Sequence, residues 1–281
     1  MTEGEAAAAA TAEQGARNLL MRVAAALVLA PLAIALAYAG GSLWAVLVTL
    51  AAIGLYVEWL TIVAARTPRV LAAGVAALAI AGLFLGMGRI DASLLVLVVG
   101  LAGVMLLSPE RRLWAATGFA YAAAAEVASV VVRLDRSNGF VALILILLVV
   151  WVTDIGGFFA GRGLGGPKLW PRVSPKKTWA GAIGGFVASL AVAAGFAAFG
   201  FGKTGPVVLL GAVLSIASQL GDLFESAVKR RFGVKDSSHI IPGHGGLLDR
   251  LDGFVAAIVL AAVFGFLRGG ADGVGRGLMV W

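Results

Sequence analysis

Long runs free of Asp, Glu, Lys and Arg constrain this chain most: residues 23–57, 70–88, 92–109, 137–153, 178–202, 204–221 and 253–267 carry none. They are too many and too long for the buried core of a soluble domain. With 60% hydrophobic and 13% charged residues and a mean hydropathy of +0.98, the 281-residue chain reads as an integral membrane protein. A hydrocarbon layer of about 30 Å takes roughly 20 apolar residues per helix, so the first run must fold back near Gly40 and Gly41 into two spans. A further span, 113–132, is interrupted only by Glu126.

The expected fold class is an all-α polytopic membrane protein with about nine transmembrane helices. They fall near 19–39, 42–63, 70–88, 92–107, 113–132, 138–160, 179–200, 205–228 and 249–268. An odd number of spans puts the termini on opposite sides. With the N-terminus in the cytoplasm, all but six of the 22 Lys and Arg residues (Arg89, Arg133, Arg136, Lys203, Arg268 and Arg276) face inward, as the positive-inside bias requires. The chain then divides into a tail at 1–18, helices 1–4 at 19–112, and helices 5–9 at 113–281 with cytoplasmic loops 161–178 and 229–248. The Ala-rich tail has Glu3, Glu5 and Glu13 and no basic segment before the first apolar run, so a cytoplasmic extension is expected rather than a cleaved signal peptide.

Absence of cysteine excludes thiolate catalysis, iron–sulfur clusters and Cys-built zinc sites. With His239 and His244 the only histidines, any metal must rest on oxygen ligands, which suit a hard cation such as Mg²⁺. A pI near 10.2 favours anionic lipid headgroups. Nucleic acid is not an expected partner, because no soluble domain carries the positive charge.

Charge is concentrated between 219 and 253, where Asp222, Glu225, Lys229, Arg230, Arg231, Lys235, Asp236, Asp249, Arg250 and Asp252 are bounded by apolar runs. Acids at the mouths of membrane helices are costly unless paired, solvated or metal-bound, so they mark function. Asp222, Glu225, Ser226 and Lys229 share one helical face, and Asp249 and Asp252 open the last span. Both helix ends return to one membrane face. Asp222 and Asp249 are therefore expected to converge on one divalent cation, beside a helix N-terminus that favours phosphate. Salt bridging of Glu225 to Lys229, and of Asp249 or Asp252 to Arg250, is the competing reading. Between them, Pro242-Gly243-His244-Gly245-Gly246 is a turn whose glycines let backbone N–H groups approach a ligand. His244 suits phosphate contact or proton handling, and equally a hydrogen bond to the loop backbone.

The other charged loop repeats the theme. Asp154 ends an apolar run, a glycine-rich stretch with Arg162 follows, and Ser174, Lys176, Lys177 and Thr178 precede the seventh span. The glycines and Arg162 look like a phosphate-binding loop, and Lys176 and Lys177 are expected to meet phosphate. Ser174 and Thr178 supply hydroxyl donors or cap the helix. Lys168 and Arg172 are read as topology-fixing charges.

The run from Ser226 through Lys229, Arg230, Lys235 and Asp236 to Pro242, His244, Gly245, Gly246, Asp249, Arg250 and Asp252 resembles the signature of the phosphatidate cytidylyltransferases, the CDP-diacylglycerol synthases. The stretches DIGGFFAGR and SPKKTWAG and the nine-span layout are also similar to that family. Ile155, Phe158 and Ala180 depart from its pattern, and no role is carried over to them. The resemblance implies that CTP and phosphatidic acid give CDP-diacylglycerol and pyrophosphate, with Mg²⁺ required, a second cation compatible, and a homodimer in a bacterial-type inner membrane with its active site facing the cytoplasm. Such a reaction needs no strong general base, since the lipid phosphate is already anionic. Asp222 and Asp249 would hold the metal, Lys176, Lys177, Lys229 and Arg230 would neutralise phosphates, and Asp154 would assist. Two rivals are a CTP-dependent polyprenol or phytol kinase, separated by its product, and a transporter of a phosphorylated solute, disfavoured because charge clusters on one face without an internal repeat. Glu58 and Glu126, each inside a span, are read as interhelical hydrogen-bond partners, a role open to the protonated form.

Overall fold

The computed structural model describes Val28, residues 30–238 and residues 245–281. A short apolar helix, α1 (Ala30–Ala39), precedes α2 (Gly41–Ile62), α3 (Pro68–Gly86), α4 (Ile90–Leu107), α5 (Arg112–Leu134) and α6 (Gly139–Leu164). A two-stranded hairpin, β1 (Lys168–Trp170) and β2 (Ser174–Thr178), leads to α7 (Trp179–Ala198), α8 (Thr204–Arg231) and α9 (Leu248–Gly269). A single 3₁₀ turn (Ala271–Gly273) and a short helix, α10 (Val274–Met279), end the chain.

Among the described residues, the eight helices α2 to α9 are long and apolar enough to cross a membrane. They match the last eight expected spans within a few residues, because bilayer thickness sets the length of an apolar helix. Most of the first expected span and the 1–18 tail lie outside the described residues. The break between the first two spans falls where expected, at Gly40, whose φ is 66°. Arg133 of α5 donates from Nε to the Ala37 carbonyl and from Nη2 to that of Tyr38, satisfying the end of α1. A Cβ on Gly40 would lie 2.7 Å from Arg133 Nη2, and the φ of 66° itself disfavours a residue with a side chain.

Two apolar clusters hold the bundle. One joins α2, α3, α4 and α5 around Tyr56, Trp59, Leu78 and Phe119. The other joins α5, α6, α8, α9 and α10 around Leu143, Ile146, Leu214 and Ile258. Apolar side chains left exposed, such as Leu95, Val98 and Leu106 of α4, suit contact with lipid tails.

Two features correct the sequence reading and one extends it. The glycines of 156–163 are helical: α6 runs to Leu164, so Gly161 and Arg162 belong to its last turn rather than to a phosphate-binding loop. Their small size lets α6 and α7 approach closely, as a Cβ on Gly184 would lie 2.2 Å from that of Ala160. Next, α8 extends to Arg231, so Lys229, Arg230 and Arg231 lie in its last turn, where cations complement the helix dipole. Finally, residues 168–178 form an antiparallel hairpin with Lys168 opposite Thr178 and Trp170 opposite Ser174. At about 1.5 Å per residue, the 26 residues of α6 and the 28 of α8 exceed a 30 Å layer, so both helices carry their charged ends to its edge.

Candidate active site

A cavity of about 660 Å³ opens where α6, β2, α7, α8 and α9 meet. Its acids are Asp154 from α6, Asp222 from α8, and Asp249 and Asp252 from α9. Facing them are Arg162, Lys176, Lys177 and Arg250. Acids and bases are thus balanced on one wall-to-wall space, a lining suited to a polyanion accompanied by a cation. The other large cavity, about 510 Å³ between α4, α5 and α9, is lined by apolar groups such as Leu97, Phe119, Val127 and Phe266 and offers no chemistry.

Asp222 and Asp249 line the same cavity, but each has its own partners. Asp222 forms an ion pair with Lys177 and accepts a long hydrogen bond from Ser226 Oγ (3.4 Å). Asp249 Oδ1 meets Lys229 Nζ, while its Oδ2 accepts from Ser237 N (3.0 Å), Ser237 Oγ (2.9 Å) and Gly246 N (3.1 Å). Asp154 makes no hydrogen bond among the described residues, and Asp252 Oδ1 accepts only from Gly253 N (2.7 Å). Among the described residues, no three acidic or histidine side chains are arranged to hold a metal ion. Mg²⁺ commonly relies on one or two carboxylates plus substrate phosphates and water rather than on an all-protein cage. Asp222 and Asp249 are oxygen donors of that kind, each already engaged here, Asp222 by Lys177 and Asp249 at both oxygens by Lys229, Ser237 and Gly246.

Several expected contacts are made otherwise. Lys229 is 8% exposed, lies between Glu225 Oε2 (2.9 Å) and Asp249, and does not line the cavity, so the intrahelical pair that competed with phosphate contact is formed. Arg230 donates to the carbonyls of Val173 (3.3 Å) and Val234 (3.1 Å), tying α8 to the hairpin. Thr178 caps α7 by accepting from Gly181 N (3.1 Å) and also touches the cavity. Gly246 N–H serves Asp249, not a ligand, and Gly245 stands beside it with a φ of 82°. Lys235 and Asp236 are exposed in the turn after α8, and Ser174 is half-buried at the start of β2; none of the three lines the cavity. His244, with Pro242 and Gly243, lies outside the described residues.

The cytidylyltransferase family model matches residues 20–267. The chain belongs to this family. Proteins named phosphatidate cytidylyltransferase from Brucella suis biovar 1 (strain 1330) and Brucella melitensis biotype 1 are each 40% identical to it, over 254 and 260 residues, covering 88% of this chain and 93% of theirs. One of the same name from Staphylococcus aureus (strain COL) is 46% identical over 127 residues, 44% of this chain and 49% of that protein. As a cytidylyltransferase-family member, the chain builds its candidate site from its C-terminal half, with one exception that the sequence left unconnected. Glu58 reaches Ser237, Ser238, Leu247 and Leu248 from α2. An acid inside an apolar span was the visible signal, but its partners lie some 180 residues away. Both buried acids take the interhelical role expected of them: Glu58 joins α2 to the start of α9, and Glu126 accepts from Thr49 Oγ1 (2.8 Å) between α5 and α2.

Proposed function

We propose that this protein is a phosphatidate cytidylyltransferase, making CDP-diacylglycerol and pyrophosphate from CTP and phosphatidic acid. The observation that carries the reading is the cavity at the helix mouths, where acids and bases face one another beside apolar helices. A nucleotide triphosphate needs the bases, a divalent cation needs the acids, and a lipid needs an entrance at the bilayer edge. The names of the relatives from Brucella and Staphylococcus support the same substrates.

In this reading a phosphate oxygen of the lipid attacks the α-phosphorus of CTP in line. A P–O bond forms to the α-phosphorus as its bond to the bridging oxygen of the β-phosphate breaks, and pyrophosphate leaves. The attacking oxygen is already anionic at neutral pH, so no proton must be removed. The work of the protein is alignment and charge screening. Lys176, Lys177, Arg162 and Arg250 screen the two polyanions. Asp222 and Asp249 would hold Mg²⁺, which supplies positive charge to the phosphate oxygens when bound. Lys177, paired with Asp222 in the structure, would be available to phosphate once that carboxylate held the cation. Asp154 and Asp252 give a second cation oxygen donors in the same space. The asymmetry of Lys and Arg supports a site facing the cytoplasm of a bacterial inner membrane. A homodimer belongs to this reading on the strength of the family resemblance alone.

Purified protein in detergent, given CTP, Mg²⁺ and phosphatidic acid, is expected to release pyrophosphate and form a cytidine-bearing lipid, and Asp249→Asn is expected to remove nearly all of that activity. Release of CDP with a phosphorylated alcohol would indicate a kinase. Turnover undiminished by chelation of divalent cations would reject the metal assignment.

A further inference from the structure

Helix α9 begins without a cap of its own. Leu247 stands at its N-cap position, has no side chain able to accept a hydrogen bond, and leaves the first N–H groups of the helix in need of acceptors. Glu58 supplies them from α2: Oε1 accepts from Leu247 N (2.8 Å) and Oε2 from Leu248 N (2.7 Å). The same carboxylate accepts from Ser238 Oγ (2.6 Å) and Ser237 Oγ (2.9 Å). It is 1% exposed, so these donors take the place of water. A carboxylate at a helix N-terminus also gains from the helix dipole.

A second contact docks the same segment. A Cβ on Gly54, one turn before Glu58 on α2, would stand 2.6 Å from Leu247 Cδ2, so Leu247 packs its side chain directly over this glycine. Ser237 Oγ lies 2.9 Å from both Glu58 Oε2 and Asp249 Oδ2, its single proton serving one of them at a time. Gly246 completes the knot, since a Cβ there would fall 1.7 Å from Ser237 Oγ and 2.7 Å from Glu58 Oε2. Asp249 sits in the first turn of the helix that Glu58 caps and shares Ser237 with it.

We propose that Glu58 is a positioning residue: it caps α9 from α2 and so fixes the carboxylate of Asp249 in the cavity without touching substrate. This rests on the cytidylyltransferase reading above, which gives Asp249 its role. Loss of such a supporting contact typically costs ~10- to 100-fold in metal affinity or activity. In detergent, Glu58→Ala is expected to lower kcat by about 30-fold and raise the half-saturating Mg²⁺ concentration, leaving KM for CTP within about threefold. Glu58→Gln keeps one carbonyl oxygen for one N–H and should fall between. Without nucleotide or metal, amide hydrogen exchange in 245–250 should quicken in Glu58→Ala and remain slow in α3 and α4. Glu126→Gln is the control, a buried acid of α5 remote from this segment, expected to retain wild-type kcat. Wild-type kcat with unchanged exchange in Glu58→Ala would overturn the proposal, as would an equal loss of kcat in Glu126→Gln. If Glu58→Ala does not fold, Glu58→Gln decides: intermediate kcat with faster exchange in 245–250 supports the cap, and wild-type values of both reject it. Should the wild type form no cytidine lipid, the reaction reading fails, while the exchange experiment still tests the cap.

Discussion

Lys229 lies 8% exposed between Glu225 and Asp249, whereas Lys177 meets Asp222 at the open cavity with 29% of each side chain exposed. Removing one member of a buried charge network leaves its partners desolvated and unpaired, at a cost of ~3–5 kcal/mol. Lys229→Met should therefore lower stability by about 3 kcal/mol, measured by thermal unfolding in detergent, and should abolish activity by freeing Asp249 to move. Adding Glu225→Gln should recover part of the stability, because one of the two stranded carboxylates is removed. Lys177→Ala should cost about 1 kcal/mol or less, since solvent weakens its ion pair, yet it should reduce kcat strongly if the amine screens phosphate. A Lys177→Ala enzyme with wild-type kcat would remove Lys177 from the chemistry.

Helices α6 and α7 owe their close approach to glycine, and that approach sets the wall carrying Asp154 and Arg162. Gly184→Val should force them apart, lowering stability by ~1–3 kcal/mol and lowering activity with it; an unchanged unfolding temperature would show that the interface has slack. These glycines explain one limit of sequence reading. Gly-rich runs that look like phosphate loops in soluble proteins are ordinary inside membrane helices, where small residues serve packing. The spans themselves were legible because bilayer thickness imposes their length, and the placement of Asp222 and Asp249 on one cavity was legible because both helix ends return to one face. The hairpin at 168–178 was not, as SPKKT has no alternating pattern. The partners of Glu58 were also hidden, for its carboxylate is satisfied by main-chain N–H groups and serines that carry no signal of their own.

Across the molecule, the end of the helix bundle opposite the cavity is packed by α10. There α5 ends, α6 begins, α9 ends, and α10 folds back among all three with Val274, Leu278 and Met279 buried. Asp135, 7% exposed, accepts from Ser137 N (2.9 Å), Asn138 N (3.0 Å) and Arg276 N (2.6 Å), linking the α5–α6 turn to α10. Arg268 donates to the carbonyls of Gly277 (2.6 Å) and Val280 (3.1 Å) and lies 3.5 Å over the Trp281 ring. This clamp and the cavity occupy opposite ends of α6 and α9, about 30 Å apart at 1.5 Å per residue. Stability and chemistry should accordingly separate. Asp135→Ala leaves buried main-chain donors unpaired and should cost about 2 kcal/mol of stability, with kcat and the Mg²⁺ requirement unchanged at temperatures well below unfolding. A fall in kcat matching that of Glu58→Ala would mean instead that the two ends of the bundle are mechanically coupled through α9.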